Sequence, residues 1–362
     1  MAYSDIKDPS EFFHTQLYTG TGADQDVVND AHAGNFKPDF LIIKNRGNAS
    51  YGPHYYDSTR GVKRYLYSDQ NYGDDQETNN GNGSGSVQLF NTNGFRGGAS
   101  SNFFNVAWTN GLDNTYVAWQ WKINGGTTST LSNTGPNSVV QVNTTMGVSI
   151  LTYTGNGSNS NVKHGLGEVP DMIWVKRRDG GDADWAVWHK DLGTSSYFLK
   201  LNSTAAEASG VWDGVYPSSE KFFISGGSGF VNVNGSNYVA YAFKSKQGFS
   251  KFGKYTGNGN ANGPFVYTGF KPAFVMLKRI NTTSNWIIMD NKRNTFNEME
   301  SRLFPNLTNA EATQSTYGLD FLSNGFKLRD TVSQSNGSGS TYIYMAYAEN
   351  PFVAGGIPTT AK

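Results

Sequence analysis

The sequence contains no cysteine, which excludes disulfide bonds, thiolate metal sites and cysteine nucleophiles. Charged residues make up only 16%, and 29 basic residues balance 29 acidic ones. Nucleic-acid binders usually present a basic face, whereas the longest basic cluster here, 176–178, follows an apolar run and is interpreted as a solvated strand end. We therefore expect no nucleic-acid partner, and the neutral charge leaves association between subunits unopposed.

Long apolar runs are also absent. No stretch approaches the ~20 apolar residues of a membrane-spanning helix, so we expect no membrane insertion. The first residues lack the basic and apolar regions of a secretory signal. We therefore expect a product made in a cytoplasm without a signal peptide.

Convincing helical periodicity is missing, whereas aromatic residues and glycine are abundant. The chain has 23 Phe, 20 Tyr, 8 Trp and 43 Gly. Aromatic side chains suit a pleated, half-buried surface, and glycine marks turns. This composition predicts an all-β protein with short loops and little helix.

Five landmarks recur in the same order along the chain. Each copy opens with Tyr-Thr-Gly-x-Gly, at 18–22, 153–157 and 255–259. A proline then precedes an apolar run that ends in lysine, at 40–44, 172–176 and 274–278. The remaining landmarks are a Gly-Phe turn (at Phe95, Phe230 and Phe326), a closing strand with aromatic alternation (116–121, 238–243 and 344–348), and an Asn-x-Thr-x-Ala-Glu-Ala segment in the last two copies (202–208 and 306–312). The apolar runs predict strands buried on both faces, and the recurrence of these landmarks in one order predicts a triplicated module.

We predict three tandem β-sandwich modules of jelly-roll or concanavalin-like type. The predicted boundaries are an N-terminal extension at 1–11, module 1 at 12–124, a polar linker at 125–145, module 2 at 146–246, module 3 at 249–352 and a C-terminal tail at 353–362. The polar linker predicts that module 1 stands apart. Modules 2 and 3 are joined by only a few residues, so they are expected to form a close pair.

Signatures of catalysis and of cofactor binding are lacking. There is no GxSxG elbow, HExxH pair or phosphate-binding lysine loop, and the five histidines show no metal-ligand spacing. The Asp-rich segment 179–184 lacks the glutamate of a calcium loop and is interpreted as a hairpin turn. We expect no catalytic residue, no metal and no cofactor, and therefore a protein that is not an enzyme.

One polar pair recurs, as Asp57-x-x-Arg60 in module 1 and Asp290-x-x-Arg293 in module 3. Module 2 has His189 and Leu192 at these places. A catalytic dyad is one interpretation, but a structural ion pair that stabilises a turn is the better one, because catalysis would also need a cleft.

Two tryptophans lie in polar, glycine-rich surroundings, Trp108 before Thr-Asn-Gly and Trp212 before Asp-Gly. An exposed ring on a loop can stack on a sugar or on a partner protein. These two are therefore the candidate ligand-binding residues. The alternative is that each ring folds back onto its own sandwich.

Several longer segments carry a family resemblance. They are Asp-Pro-Ser-x-Phe-Phe-x-Thr-Gln-Leu-Tyr-Thr-Gly at 8–20, Phe-Lys-Pro-Asp-Phe-Leu-Ile-Ile-Lys-Asn-Arg at 36–46, Asp-Ser-Thr-Arg-Gly at 57–61, Tyr-Ala-Glu-Asn-Pro-Phe at 347–352 and Pro-Thr-Thr-Ala-Lys at 358–362. Through them the chain resembles tandem repeat modules in structural proteins of tailed, especially marine, bacteriophages. The resemblance implies a virion component, with other tail or capsid proteins as partners.

The functional expectation is a non-enzymatic virion structural protein, most simply a tail-associated or fibre-like surface component used in host attachment. It would assemble as a homo-oligomer, with a host-surface glycan as a further candidate partner. Alternatives are a capsid decoration protein of the head-fibre kind, an array of carbohydrate-binding modules, and a glycan-degrading enzyme. The enzyme would need two carboxylates flanking a groove.

Overall fold

The computed structural model describes residues 4–30, 36–74, 86–98, 106–179, 182–354 and 357–358. In these ranges β-strands dominate. The helical elements described are a 3-10 turn at Pro9–Glu11 and a four-residue helix, α1, at Val106–Thr109. The prediction of an all-β protein is confirmed.

The described residues of module 1 form eight strands in two sheets. In chain order they are β1 (Phe13–Thr19), β2 (Gln25–Val28), β3 (Phe40–Asn45), β4 (His54–Asp57), β5 (Tyr65–Tyr67), β6 (Val87–Asn91), β7 (Gly94–Gly97) and β8 (Thr115–Trp121). The main sheet has the order β1-β8-β3-β4-β5, and the small sheet has the order β2-β7-β6.

Module 2 and the segment before it contain ten strands. They are β9 (Ser129–Leu131), β10 (Ser138–Asn143), β11 (Val148–Thr154), β12 (Ser160–Lys163), β13 (Met172–Arg177), β14 (Ala186–His189), β15 (Tyr197–Lys200), β16 (Ala208–Ser209), β17 (Lys221–Ile224) and β18 (Asn237–Phe243). Eight of them form a main sheet in the order β16-β15-β14-β13-β18-β11-β10-β9, and β12 pairs with β17.

Module 3 contains nine strands, and a short hairpin follows it. They are β19 (Ser250–Thr256), β20 (Phe265–Tyr267), β21 (Phe270–Arg279), β22 (Trp286–Asp290), β23 (Ser301–Arg302), β24 (Ala312–Thr313), β25 (Leu319–Leu322), β26 (Gly325–Leu328), β27 (Thr341–Pro351), β28 (Val353–Ala354) and β29 (Ile357–Pro358). The main sheet has the order β19-β27-β21-β22, and a small sheet has the order β20-β26-β25.

The same four-strand order recurs in the three main sheets. In each, the opening strand pairs with the closing strand, which pairs with the strand after the proline, which pairs with the next strand. The antiparallel register defines equivalent positions: Phe40 lies opposite Trp121, Met172 opposite Phe243, and Phe274 opposite Tyr347.

This register corrects two alignments made from the sequence. The closing strand of module 3 begins its equivalent part at Tyr342 and not at Tyr344, because Tyr342 lies opposite Tyr255 as Tyr116 lies opposite Tyr18. In module 2, Phe222 and not Phe230 takes the place of the Gly-Phe aromatics, because it pairs with Val162 of β12.

The predicted polar linker is wrong as a description of 129–143. Strand β10 pairs with β11 and strand β9 pairs with β10, so this segment extends the main sheet of module 2. The polar composition hides the strand because only part of it is buried: Val140 and Gln141 are enclosed, whereas Val139 faces solvent.

The three main sheets pack around one shared core. One face of each sheet covers the small strands of its own module, and the other face meets the other two sheets. Aromatic rings from all three modules fill this centre, among them Phe13, Phe40, Trp121, Trp174, Tyr241, Phe252, Phe274 and Tyr347. Module 1 therefore does not stand apart. Each module contacts both of the others, and the modules form a closed ring.

Alternation along the strands explains how one sequence fills two cores. Phe40 and Ile42 enter the shared core, whereas Leu41 and Ile43 enter the core of module 1. A strand with opposed apolar faces must read as a continuous apolar run. The described part of the N-terminal extension also joins the shared core, where Ile6 is 3% exposed.

The opening Tyr-Thr-Gly-x-Gly motif has an architectural role in every copy. Its tyrosine donates a hydrogen bond to a backbone carbonyl in the loop before the closing strand and stacks on the first tyrosine of that strand. The donor pairs are Tyr18 to Thr109 (2.5 Å), Tyr153 to Val231 (2.7 Å) and Tyr255 to Ser335 (2.6 Å), and the stacked pairs are Tyr18–Tyr116, Tyr153–Tyr238 and Tyr255–Tyr342. Its last glycine has a φ of 66–71° in each copy, a conformation that other residues adopt rarely.

A buried asparagine also stabilises this loop, and its role was not predicted from the sequence. Asn110, Asn232 and Asn336 each follow the carbonyl that the tyrosine binds. Their side-chain oxygens accept backbone N–H bonds from the opening motif of the same module, at 2.8–3.0 Å. The recurring residues of this loop thus bind one another.

Candidate functional site

The two Asp-x-x-Arg pairs are buried ion pairs that close a turn. Asp57 Oδ2 lies 2.5 Å from Arg60 Nε, and Asp290 Oδ2 lies 2.6 Å from Arg293 Nε. In each pair the other carboxylate oxygen accepts the backbone N–H of the arginine, at 2.7 and 2.9 Å. Burial by itself would lower the pKa of Arg60, but the Asp57 carboxylate raises it above its ordinary value.

Each of these aspartates also contacts a different module across the shared core. The hydroxyl of Tyr241 in module 2 donates to Asp57 at 2.7 Å, and the indole N–H of Trp119 in module 1 donates to Asp290 at 3.1 Å. Their carboxylate oxygens are therefore occupied by an arginine, a backbone N–H and an aromatic donor. This arrangement suits a structural role.

A second acid links the arginine of each pair to the next module. Asp74 contacts Arg60 (3.3 Å) and Arg178 of module 2 (2.7 Å). Glu311 contacts Arg293 (3.1 Å) and Arg46 of module 1 (2.8 Å). Carboxylates that contact an arginine from each side thus link the modules at two of the three junctions.

The junction between modules 2 and 3 lacks both of these arginines. The backbone N–H of Glu207 donates to the carbonyl of Ile280 at 2.9 Å, as those of Asp74 and Glu311 do to Arg178 and Arg46. Leu192 and Ile280 stand where the other junctions have arginines, and the contact of the Glu207 carboxylate within the described part of the chain is the backbone N–H of Gly193, at 2.8 Å. The absence of Asp-x-x-Arg from module 2 therefore coincides with the absence of the second arginine of this junction.

The lysine that ends each apolar run is fully buried. Lys44, Lys176 and Lys278 each donate to a backbone carbonyl of another module: Thr308 at 2.8 Å, Asn71 at 2.7 Å and Thr204 at 3.3 Å respectively. Burial lowers their pKa to about 8, 7 and 7 respectively. The interpretation of 176–178 as a solvated strand end is wrong, because Lys176 is enclosed and Arg178 contacts Asp74.

The candidate loop tryptophans are not exposed platforms. Trp212 is 2% exposed and packs in the core of module 2, with its ring centroid 6.4 Å from that of Phe222. Trp108 is half-buried and stacks on His54 at 5.0 Å. Both rings fold back onto their own modules because each finds an apolar core directly beneath its loop.

A polar cleft of about 540 Å³ lies at the junction of modules 3 and 1. Its walls are the segment before β1, the start of β1, the turn after β22 and the end of β27. The lining residues are Lys7, Asp8, Ser10, Phe13, His14, Thr15, Ala273, Asn291, Lys292, Thr295, Ala348, Glu349 and Asn350. A cleft of this size, with a few apolar side chains and many polar ones, can hold a small polar ligand.

Ion pairs hold most of the charged groups around this cleft. Asp30 lies 3.2 Å from His14 and 2.9 Å from Lys292, which joins module 1 to module 3. Glu349 lies 3.2 Å from Lys271. Lysines and carboxylates are balanced around the cleft.

A family described as a domain of unknown function, DUF7483, matches residues 8–351. The chain belongs to this family. The matched range of the DUF7483 domain includes all three modules, as the shared core leads one to expect. No curated protein matches the chain, and no solved structure matches it.

Within the ranges given above, no group of three or more His, Asp or Glu side chains could hold a metal ion together. In the same ranges no helix is long and apolar enough to cross a membrane.

Sequence inspection missed the cleft and the junction contacts. The sequence offered one signal for the junctions, the Ala-Glu-Ala segment of the last two modules, which supplies Glu207 and Glu311. The cleft left no local pattern, because its walls come from opposite ends of the chain.

Proposed function

We propose that this protein is a non-enzymatic structural component of a phage virion, in a tail-associated or fibre-like surface position that serves host attachment. The observation that carries the proposal is the use of the recurring residues. The opening motif, the buried lysines and the Asp-x-x-Arg pairs all bind other parts of the fold. Selection on these residues would preserve the folded structure and not a catalytic activity.

The closed ring supports a role in assembly. Three modules around one core form a body with three different outer surfaces, because the small strands of each module cover its outside. The end strand β9 leaves one edge of the largest sheet for pairing. Such edges allow contact with other virion proteins or with a second copy of the chain.

The second candidate within this class is a capsid decoration protein of the head-fibre kind. Ile6 is anchored in the shared core and Ser4 donates to the carbonyl of Gln247 at 2.8 Å, so the described part of the N-terminal extension is docked on the body. The described part of the extension is thus part of a compact block, which suits a repeated lattice site. An array of carbohydrate-binding modules is a third candidate, which the polar cleft favours.

Quantitative mass spectrometry of purified virus particles tests the proposal. Particles would be prepared from cells that carry the gene, and peptides of this chain would be counted against the major capsid protein. A fixed stoichiometry is expected, with a few dozen copies or fewer for an appendage and hundreds for a decoration protein. Peptides that stay in the lysate and do not sediment with particles would refute a virion role.

A further inference from the structure

The cleft lies where one junction departs from the other two. The backbone N–H groups of Ser58, Lys190 and Asn291 donate to the carbonyls of residues 39, 171 and 273, at 2.8, 3.0 and 3.0 Å respectively, so these positions are equivalent. The first two partners are aspartates, and the third is Ala273. A carboxylate is therefore missing at the junction of modules 3 and 1.

The missing carboxylate has a defined task in the other junctions. Asp39 accepts the Ser58 hydroxyl at 2.7 Å, and Asp171 lies 3.2 Å from the Lys190 ammonium. Asn291 occupies the same place and lines the cleft at 5% exposure, but its side-chain amide has no hydrogen-bond partner among the described residues. Because this amide lines the cleft, its donor is available to a ligand from that side.

A second difference between the modules, at the position of Thr15, leaves space for the cleft. Thr15 lies opposite Trp119, as Ile150 lies opposite Tyr241 and Phe252 opposite Met345. Ile150 and Phe252 fill the shared core, whereas the smaller Thr15 lines the cleft, with a buried hydroxyl that has no hydrogen-bond partner among the residues the structure describes.

At the junction of modules 1 and 2 a side chain fills the corresponding place. Gln141 of β10 donates to Ser58 at 2.9 Å and to Thr59 at 3.0 Å. These are the equivalents of Asn291 and Lys292, which line the open cleft.

We propose that this cleft binds a saccharide that carries one carboxylate, as a uronic-acid sugar does. The carboxylate of the ligand takes the place of the missing aspartate side chain and accepts a hydrogen bond from the side-chain N–H of Asn291. Lys7, which makes no ion pair with a described residue, supplies the compensating charge at the rim. This inference goes beyond the virion role and does not depend on it.

The lining favours a sugar over other carboxylates. Ser10, Thr295 and Asn350 offer neutral donors and acceptors to hydroxyl groups, and Phe13 and Ala348 offer an apolar wall to the C–H face of a ring. Lys292 is paired with Asp30 and Lys271 with Glu349, so Lys7 is the lysine of the described lining that is left to meet a ligand carboxylate, and a polyanion is not matched.

Saturation-transfer NMR on the full chain tests the site, with D-glucuronate and D-galacturonate as probes. D-glucose is the uncharged control, and a tripeptide with a free carboxyl terminus tests the other source of a carboxylate. Ala273→Asp supplies the missing group from the protein and should abolish uronate binding while the thermal melt stays unchanged or rises. Lys7→Gln should weaken binding about tenfold, the loss expected for one charge-assisted hydrogen bond, whereas Lys254→Gln on an exposed strand position should not.

The site is supported if a uronate binds the wild type, glucose does not, and Ala273→Asp blocks binding. The absence of uronate binding would overturn it. So would equal binding of glucose, unchanged binding by a folded Ala273→Asp variant, or binding of the peptide alone.

Discussion

Replacing Trp174 by alanine should weaken modules 1 and 2 together. The side chain is fully buried in the shared core, where its ring lies 6.4 Å from Phe40 and 6.2 Å from Tyr55 of module 1 and 4.9 Å from Phe243 of its own module. Truncation of a buried tryptophan removes its transfer free energy and leaves a cavity, which typically costs ~3–5 kcal/mol. Because the cavity borders two modules, the loss should appear in both.

Urea unfolding followed by circular dichroism would give the loss in the free energy of unfolding. Hydrogen exchange measured by mass spectrometry would show where protection is lost. Trp212→Ala is the matched control, since this tryptophan is equally buried but lies in the core of module 2 alone. For Trp174→Ala we expect faster exchange in β3 and β4 of module 1 as well as in β13. For Trp212→Ala we expect the increase to stay within module 2.

The result that would refute the shared core is independent melting of the modules. If Trp174→Ala unfolded module 2 while β3 and β4 kept wild-type protection, the modules would be separate sandwiches. An unchanged unfolding midpoint would contradict the burial of this ring altogether.

Two further predictions concern the module junctions. Because burial lowers the pKa of Lys278 to about 7, the unfolded chain binds more protons than the folded chain between about pH 7 and 10.5, so this lysine makes stability rise with pH in that window. Lys278→Met should reduce the gain in the free energy of unfolding between pH 7 and 9 by about 2 kcal/mol, measured by urea titrations at both pH values, and an unaltered pH slope would contradict the assignment. Glu311→Gln should cost ~3 kcal/mol in the same assay, since it removes the carboxylate partner of Arg46 and the second carboxylate partner of Arg293, whereas Glu207→Gln, at the junction without arginines, should cost less than ~0.5 kcal/mol. Equal losses in these two variants would show that the arginine contacts contribute nothing.

The fold class and the strand faces followed from local pattern. The apolar run at 40–44 correctly indicated burial on both faces, and in the strand with aromatic alternation at 116–121 Val117, Trp119 and Trp121 share one face. The sequence pattern could not predict which part of the protein covers those faces. Alternation reports that a face is buried, and the same pattern serves an inner sandwich face and a core shared with other modules.

Contacts between distant parts of the chain explain the remaining errors. Arg178 finds Asp74 about a hundred positions earlier, and nothing near 176–178 distinguishes a buried bridge from a solvated strand end. The linker prediction failed because 125–145 is polar, although β10 pairs fully with β11. The cleft depends on Ala273 and Thr15, whose significance becomes visible only when equivalent positions are compared in three dimensions.

The covalent joining of the three modules has a consequence for how this protein can change. In a symmetric trimer of identical chains, every substitution appears at three interfaces, so opening a cleft or losing an arginine pair would destabilise the assembly three times over. Here the junctions are encoded separately. One has exchanged its arginines for Leu192 and Ile280, another has exchanged an aspartate for Ala273, and the third keeps both. A single chain can thus acquire a new surface at one module junction while the other two junctions continue to stabilise the fold.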